Sequence, residues 1–273
     1  MKIVGENIRE TVIKERGETV YYTNAAGDRV PVMFNDVDGS LKEVVKTTSK
    51  RLSSQRSNVT TYNPETSYTP RLWIKRGYGL DTDSGEILVW HDVAENANHL
   101  TTASPRPKET RGYAELWGEG DFFSLTQELE LTTFTVVVAI RPNGVSKQYI
   151  TGDSASRDSF LGLGHSAGNE YALGFDTGVV YQGSGTLNDR ELQVISFRRD
   201  ASDDIVVRRN KTEEVSVSGT GEIMTINQIG RRHTDSPTLV ADIHEILIYH
   251  ESLTDSELSG VEDGVMKRNG IYV

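Results

Sequence analysis

The fold of this chain is decided by the stretch Ala241-Asp-Ile-His-Glu-Ile-Leu-Ile-Tyr-His250. Ile, Leu and Tyr are frequent in this run, which is typical of a β-strand. Strict alternation places His244 with Ile246 on one face and Ile243 with Glu245 on the other. Because apolar residues occur on both faces, the pattern predicts a central strand that is covered on both sides.

A short helix is predicted directly after this strand. Thr254 can serve as its N-cap, and Glu257 stands at the capping-box position three residues later. The pair Asn269-Gly270 can end the helix. One buried stripe is predicted by apolar residues at helical spacing, namely Leu258, Val261, Val265 and Met266. A central strand followed by a docked helix is the expected close of a β-sandwich.

Composition limits the classes of function. The chain has 273 residues, no cysteine and a net charge of −11. The absence of cysteine excludes disulfides and thiolate metal sites. No apolar run is long enough for a signal peptide or a membrane span, so no membrane partner is expected. The acidic balance argues against a nucleic-acid partner.

The N-terminal quarter differs from the rest. Residues 1–70 hold ten Lys/Arg against nine Asp/Glu, so the remainder carries −12. A hairpin is predicted from Glu18–Thr23 and Arg29–Phe34, and residues 46–70, rich in Ser, Thr, Asn and Pro, form a linker or extended arm. The predicted domains are therefore an N-terminal arm, 1–70, and a body, 71–273.

A small basic cluster lies in the arm. It consists of Lys46, Lys50, Arg51 and Arg56. We expect these residues to bind a partner, namely the acidic body of a neighbouring copy in a homo-oligomer, since opposite charges steer association. A solvated tether is the alternative.

From Leu72 onward the sequence pattern changes to short candidate strands separated by turns rich in Gly, Asp, Asn and Pro. Such a series predicts an all-β sandwich or barrel. The candidate strands are Leu72–Ile74, Ile87–Trp90, Phe134–Ile140, Tyr171–Phe175, Leu192–Phe197, Ile205–Arg208 and Thr225–Ile229.

The order of these segments resembles the concanavalin A-like, LamG-type jelly-roll family over residues 72–273. The resemblance is carried by Leu72-Trp-Ile74, Val89-Trp-His-Asp92, Phe134-Thr-Val-Val-Val-Ala-Ile-Arg-Pro142 and Ile243-His-Glu-Ile-Leu-Ile-Tyr249. Glu95-Asn-Ala-Asn98 departs from the usual glycine-rich turn, so no ligand is carried over from that loop. The resemblance implies two antiparallel sheets in a jelly-roll β-sandwich. It also implies either glycan binding or a structural role in bacteriophage virions or extracellular bacterial proteins.

Catalytic signals are weak. Gly164-His-Ser-Ala-Gly168 fits the G-x-S-x-G pattern, but strands flank it, where a nucleophile elbow needs a following helix. Glu128-Leu-Glu130 is the nearest approach to the carboxylate pairs of glycosidases. His244 and His250 are expected to be ordinary surface or edge histidines. No catalytic residue, metal or cofactor is therefore predicted, although Asp81–Glu86 and Asp92 offer oxygen atoms that suit calcium.

Of the three tryptophans, Trp73 and Trp90 stand within apolar strands and are expected in the core. Trp117 stands among Glu115, Gly118 and Glu119 in a stretch that reads as a turn. It is the candidate glycan-binding residue, because an exposed aromatic ring can stack on a sugar.

Three functions follow from these observations. The first is a non-enzymatic structural protein of a bacteriophage virion, assembled in the host cytoplasm, which attaches to capsid or tail proteins through its arm. The second is a lectin-like module that binds a surface glycan of the host. The third is a hydrolase, which the missing catalytic constellation disfavours.

Overall fold

The structure is a computed structural model in which the chain forms two compact units, residues 1–60 and 61–273. It describes the body from residue 68 to 272 with short gaps at 95, 119, 145–147, 164–169, 179, 185–188, 220–221 and 234–237. Of residues 1–67 it describes the backbone of seven short strands.

The described strands of the N-terminal unit pair into three small antiparallel sheets, ordered β1-β5-β6, β2-β7 and β3-β4. The strands are β1 (Lys2–Val4), β2 (Glu18–Thr19), β3 (Tyr21–Thr23), β4 (Arg29–Pro31), β5 (Met33–Asn35), β6 (Leu41–Glu43) and β7 (Val45–Lys46). The predicted hairpin is present as β3 and β4, with Tyr21 opposite Pro31. Within the two longer strands expected there, β2 pairs with β7, and β5 pairs with β1 and β6.

The described residues of the body form seventeen strands and a C-terminal helix, α1 (Asp255–Asn269). The strands are β8 (Leu72–Lys75), β9 (Leu80–Asp83), β10 (Glu86–Trp90), β11 (Leu100–Thr101), β12 (Lys108–Thr110), β13 (Tyr113–Trp117), β14 (Phe123–Leu131), β15 (Phe134–Pro142), β16 (Gln148–Gly152), β17 (Phe160–Leu163), β18 (Glu170–Gly174), β19 (Val180–Ser184), β20 (Gln193–Arg199), β21 (Asp204–Arg209), β22 (Thr212–Ser218), β23 (Met224–Ile229) and β24 (Val240–Tyr249). Nothing helical among the described residues is long and apolar enough to span a bilayer.

The strand pairs join into one closed antiparallel barrel, in which two runs of neighbouring strands form sheet A and sheet B. Sheet A has the order β9-β10-β11-β14-β23-β16-β17-β18-β19. In sheet B the order is β22-β21-β20-β15-β24, and the far edge of β24 pairs first with β13 and then with β8. β12 pairs with β13 and also meets β10, where Lys108 lies opposite Glu86. The predicted fold class, an all-β jelly-roll sandwich with a short C-terminal helix, is confirmed.

The main core lies between the two sheets, and a second core lies between sheet B and α1. β15 contributes Phe134, Val136 and Val138 to the first core and Val137 and Ala139 to the second. β24 is likewise buried on both faces along most of its length. The prediction of a central, doubly covered strand is therefore confirmed.

A β-bulge in β24 changes the expected division of its faces. Ala139 lies opposite Glu245 and Ile140 lies opposite Ile243, so His244 is an extra residue in the ladder. Because of the bulge, His244 and Glu245 follow each other on the outer face, and Ile243 shares the main core with Ile246. The prediction that side chains alternate strictly between the two faces of this strand is wrong at His244.

The capping signals of α1 are confirmed. The Thr254 hydroxyl accepts a hydrogen bond from the Glu257 N–H, and the Glu257 carboxylate accepts one from the Thr254 N–H. At the other end Gly270 adopts the left-handed conformation, with φ of 71°. The buried stripe of α1 packs on the outer face of sheet B beside Trp73 and Tyr249.

Glu245 anchors the C-terminal end of α1. Its carboxylate is 1% exposed and accepts hydrogen bonds from Trp73 Nε1 at 2.9 Å, Arg268 Nε at 3.0 Å and Asn269 Nδ2 at 2.9 Å. Burial raises the pKa of Glu245, and the contacts with Arg268, Trp73 and Asn269 oppose that shift. A buried charge costs free energy unless it is paired, so these donors hold helix and sheet in one arrangement.

We expect Glu245→Ala to destabilise the body by about 3–5 kcal/mol, because it leaves the Arg268 guanidinium and two buried donors without their acceptor. Urea unfolding followed by tryptophan fluorescence measures this. Glu130→Ala on the exposed face of β14 is the matched control and should change the free energy of unfolding by less than about 0.5 kcal/mol. Equal effects of the two substitutions would contradict the anchoring role of Glu245.

Candidate functional site

The outer face of sheet B continues beyond the end of α1, and side chains of β13 lie on this part. Ala114 and Leu116 of β13 point into the main core. Their neighbours Tyr113, Glu115 and Trp117 therefore lie on the outer face, because side chains alternate along a strand.

Cross-strand pairing brings further polar residues to this face. Glu115 of β13 lies opposite Asp242 of β24, and Asp242 lies opposite Arg141 of β15. Lys108 of β12 lies opposite Glu115 on the other side. We call this surface the platform; it consists of Lys108, Tyr113, Glu115, Trp117, Arg141 and Asp242.

Trp117 is the most exposed tryptophan, with 52% of its surface accessible, whereas Trp73 and Trp90 are buried at 4% and 0% as expected. The ammonium group of Lys108 lies 5.2 Å from the centre of the Trp117 ring. Trp117 is the last residue of β13, not part of a turn, and the chain turns at Gly118. A tryptophan held on a strand presents its ring in a defined direction.

The middle of the platform is a row of charged groups. Arg141 Nε lies 3.2 Å from Asp242 Oδ2, an ion pair whose alignment falls short of a hydrogen bond. The pKa of Asp242 is raised, mainly because burial disfavours the charged carboxylate. The positive charge of Arg141 opposes this shift, and the negative charge of Glu115 adds to it. The Thr110 hydroxyl donates to Glu115 Oε2 at 3.0 Å. The row thus offers two acceptors and one donor on three neighbouring strands.

The far corner of the platform is built on His244, which is 1% exposed and is not a surface histidine as predicted. Its ring stacks on Tyr113, with centroids 4.4 Å apart and planes 9° from parallel. The pKa of His244 is lowered to about 4, mainly by burial and further by the positive charges of Arg76 and Arg141. The Asn269 amide opposes this shift. The ring is therefore neutral at pH 7.

The loop after β10 is one of the two stretches considered for calcium, and it is stabilised by hydrogen bonds to the carboxylate of Asp92. Asp92 Oδ1 accepts hydrogen bonds from the N–H groups of Trp73 and Ala94, both at 2.9 Å. Asn98 Oδ1 accepts one from the Gln127 N–H at 2.9 Å. Within the described ranges no three His, Asp or Glu side chains form a group that could hold a metal.

Glu128, the first acid of the Glu128-Leu-Glu130 pattern on β14, belongs to a polar cluster on sheet A. Asn227 Nδ2 donates to Glu128 Oε2 at 2.9 Å and to Asp153 Oδ1 at 2.6 Å. Asn227 Oδ1 accepts from the Ser154 N–H at 2.8 Å, which fixes the orientation of the amide. The two carboxylates therefore share one donor, and their contacts tie β14 and β23 to the loop after β16.

Other predicted site residues lie outside the described residues. These are Lys50, Arg51, Arg56 and the central serine of the G-x-S-x-G pattern, Ser166. For Lys46 the backbone is described, as the end of β7. β17 and β18, on either side of the serine pattern, are antiparallel neighbours, with Leu163 opposite Tyr171. The pattern therefore joins two strands of a hairpin and does not precede a helix.

The sequence alone did not predict the platform residues other than Trp117. Lys108, Glu115, Arg141 and Asp242 come from four strands and form no local motif. Alternation of Tyr113, Glu115 and Trp117 around Ala114 and Leu116 is the one local signal, and it indicates the shared outer face only once β13 is recognised as a strand.

No protein-family profile matches the sequence, and no curated protein matches it. Several solved structures are similar in fold. Domain 4 of the extracellular arabinanase AbnA from Geobacillus stearothermophilus, solved with arabinotriose, aligns at 15% identity and a TM-score of 0.47 over 60% of this chain and 81% of that domain.

A sialidase CBM40 domain of Ruminococcus gnavus, bound to sialyllactose, aligns at 15% identity and a TM-score of 0.44 over 55% of this chain and 96% of its own. The sialidase of Trypanosoma rangeli aligns at 12% identity and a TM-score of 0.49, over 85% of this chain but 41% of its own. At these values the likeness assigns no ligand and no activity to this chain.

The buried His244 predicts a pH-dependent stability. In the unfolded chain its pKa is near the ordinary value of 6.5, and in the folded chain it is about 4. Between these values the unfolded state binds more protons, so this residue makes stability fall as the pH falls from about 6.5 to about 4. The raised pKa values of buried Glu245 and Glu262 act with the opposite sign in the same pH region.

The contribution of His244 is isolated by comparing wild type with His244→Phe, which keeps a ring on Tyr113 but cannot titrate. Between pH 7 and about pH 4.5 the wild type should lose up to about 3 kcal/mol more stability than the variant, measured by urea unfolding. His250→Phe replaces a half-buried histidine directly after β24 and should change the pH dependence of stability less. Identical pH responses of wild type and His244→Phe would refute this assignment.

Proposed function

We propose that the body of this protein binds a glycan on the platform of sheet B. The observation that carries the proposal is the half-exposed Trp117 at the end of a rigid strand, beside a row of charged side chains. With this proposal we assign the lectin-like function expected from the sequence to the platform.

Two chemical features make a sugar the best match. The indole face of Trp117 is a flat apolar surface on which the C–H face of a sugar ring can stack. Glu115 lies on the same strand, and Asp242 and Arg141 lie one and two strands away. All three are only partly buried, so their oxygen and nitrogen atoms can bond to hydroxyl groups. A few directed polar groups beside an aromatic surface are what orients a small ligand.

Trp117→Ala should weaken glycan binding more than tenfold, since removal of a central aromatic contact typically costs about 2 kcal/mol or more. A glycan array identifies the ligands of the wild type, and calorimetry with the best of them measures the loss. Ile223→Ala is the control, because Ile223 is another exposed apolar side chain, at 42%, and stands before β23 of sheet A. A Trp117→Ala protein that binds every array glycan as the wild type does would disprove the proposal.

A second proposal concerns attachment. Each described strand of residues 1–60 has two or three residues, and none of the sheets there has more than three such strands among the described residues. Sheets of this size are marginal in water unless they pack on something larger. This supports the predicted role of the arm in binding a partner, including the basic cluster Lys46, Lys50, Arg51 and Arg56.

The finer prediction, attachment to capsid or tail proteins of a bacteriophage virion with a LamG-type body, stays a prediction. It does not conflict with glycan binding, because a virion protein can present a glycan-binding body to the host. The two proposals concern different units of the chain and can be separated by deletion.

Deletion of residues 1–60 should leave glycan affinity within about twofold, because the platform belongs to residues 61–273. The same deletion should abolish the homo-oligomer expected of the full chain. Light scattering of both proteins gives the oligomeric state, and calorimetry gives the affinity. An oligomer of unchanged size after the deletion would contradict the role of the arm and leave the glycan proposal intact.

A further inference from the structure

The corner of the platform around Tyr113 has three arginines. The guanidinium carbons of Arg76 and Arg141 each lie 5.7 Å from the centre of the Tyr113 ring. Arg76 Nε also donates to the carbonyl oxygen of Arg111 at 3.2 Å, which places the third arginine next to the first.

The backbone holds this corner in place. Arg111 and Gly112 form the two-residue turn between β12 and β13, with φ of 51° and 87°. Two positive φ values are typical of a type I′ hairpin turn. Gly77, after β8, lies so close to this turn that a Cβ atom on Gly112 would come within 3.0 Å of its backbone. The Glu109 carboxylate is used inside the turn, where it accepts from the Gly112 N–H at 2.6 Å.

Two guanidinium groups of the corner have no ion-pair partner among the described residues. No described carboxylate lies within ion-pair distance of Arg76 or Arg111, and the closest contact of Arg141 with Asp242 is through Nε. The carboxylates of Glu109, Glu115 and Asp242 lie nearby, so the corner has three acids beside its three arginines. An anionic group is the partner that the two unpaired guanidinium groups favour.

His244 lies beneath the same corner. It is 1% exposed, and its ring stacks on Tyr113. Neither ring nitrogen meets hydrogen-bond geometry with a described residue, but the Asn269 amide is close enough to oppose the lowering of the His244 pKa. The neutral ring adds no cation to the corner, so the arginines are the groups that would meet an anion.

We infer that Arg76, Arg111 and Arg141 form a subsite for the carboxylate of an acidic glycan whose neighbouring sugar stacks on Trp117. The inference rests on the proposed function and names its ligand class. Tyr113 and Trp117 are four residues apart on one strand, about 13 Å, so a short oligosaccharide along β13 can reach both.

A carboxylate is the anion that we assign to this subsite. The second charge of a phosphate monoester at pH 7 increases its repulsion by Asp242 and Glu115 and its attraction by the arginines alike, so charge alone does not separate the two anions. A planar carboxylate matches the fork of one guanidinium group, and a phosphate ligand tests the other anion. Uronic-acid and sialic-acid glycans share the required carboxylate.

The experiment measures binding of defined ligands to the full chain by calorimetry. The acidic ligands are trigalacturonate and sialyllactose, their neutral counterparts are methyl-esterified trigalacturonate and lactose, and glucose phosphate tests the other anion. The variants are Arg76→Gln and Arg111→Gln. The control is Arg71→Gln, because Arg71 is an exposed arginine at the opposite end of β8.

At least one acidic ligand should bind about tenfold or more tightly than its neutral counterpart, since a hydrogen-bonded charge contributes that much. Each platform variant should reduce this preference about tenfold and leave neutral ligands within about twofold, and Arg71→Gln should change neither. Raising NaCl from about 0.05 M to about 0.5 M should weaken acidic ligands selectively.

Several outcomes would overturn the inference. If acidic and neutral ligands bind equally and lose affinity only in Trp117→Ala, the carboxylate subsite is wrong and the glycan proposal stands. If glucose phosphate binds more tightly than either carboxylate ligand, the assignment of the anion is wrong. If no ligand of either class binds and the glycan array is blank, both the subsite and the proposed function fail.

Discussion

The buried carboxylate of Glu245 is the constraint on which the outer surface of this protein depends. A charge that is 1% exposed must be paired, and its partners come from β8 and from the last turn of α1. Since α1 follows β24 after only a short connection, this pairing fixes which half of sheet B the helix covers. Arg198 and Arg208, both bound to Asp255, hold the other end of the helix. The helix therefore cannot shift along the sheet without unpairing buried charges.

The β-bulge at His244 marks the boundary between the two halves of sheet B. Because the bulge places two consecutive residues on the outer face, Glu245 faces the end of the helix and His244 supports the uncovered half. On the covered half the outer side chains are Trp73, Leu247 and Tyr249, which form a second core. On the uncovered half the corresponding positions carry Trp117, Glu115, Asp242 and Arg141. One sheet thus provides a packing surface and a candidate binding surface, and a single extra residue separates them.

Much of the fold could be predicted from local pattern. The apolar run of β15 indicated a strand buried on both faces, and Thr254 with Glu257 indicated the start of α1, because capping and alternation act within a few residues. β13 and β14 were missed. β13 is short and carries Ala114 and Glu115, which have low strand preference, and a register shift between Ser124 and Leu129 interrupts the alternation of β14. The bulge of β24 was missed for a related reason, since it depends on the register with β15.

The sequence by itself determined the class of fold, the central strand, the capped helix and Trp117 as the tryptophan most suited to a surface. These follow from periodicity, capping and composition, which act over neighbouring residues. Only the tertiary structure decided that Trp117 shares a face with Arg141 and Asp242, and that Arg76 and Arg141 lie at the Tyr113 ring, which stacks on a buried His244. Those groups come from separate strands, and their distances depend on sheet order, on register and on the position of α1. Such contacts are made across the chain, so no local pattern records them.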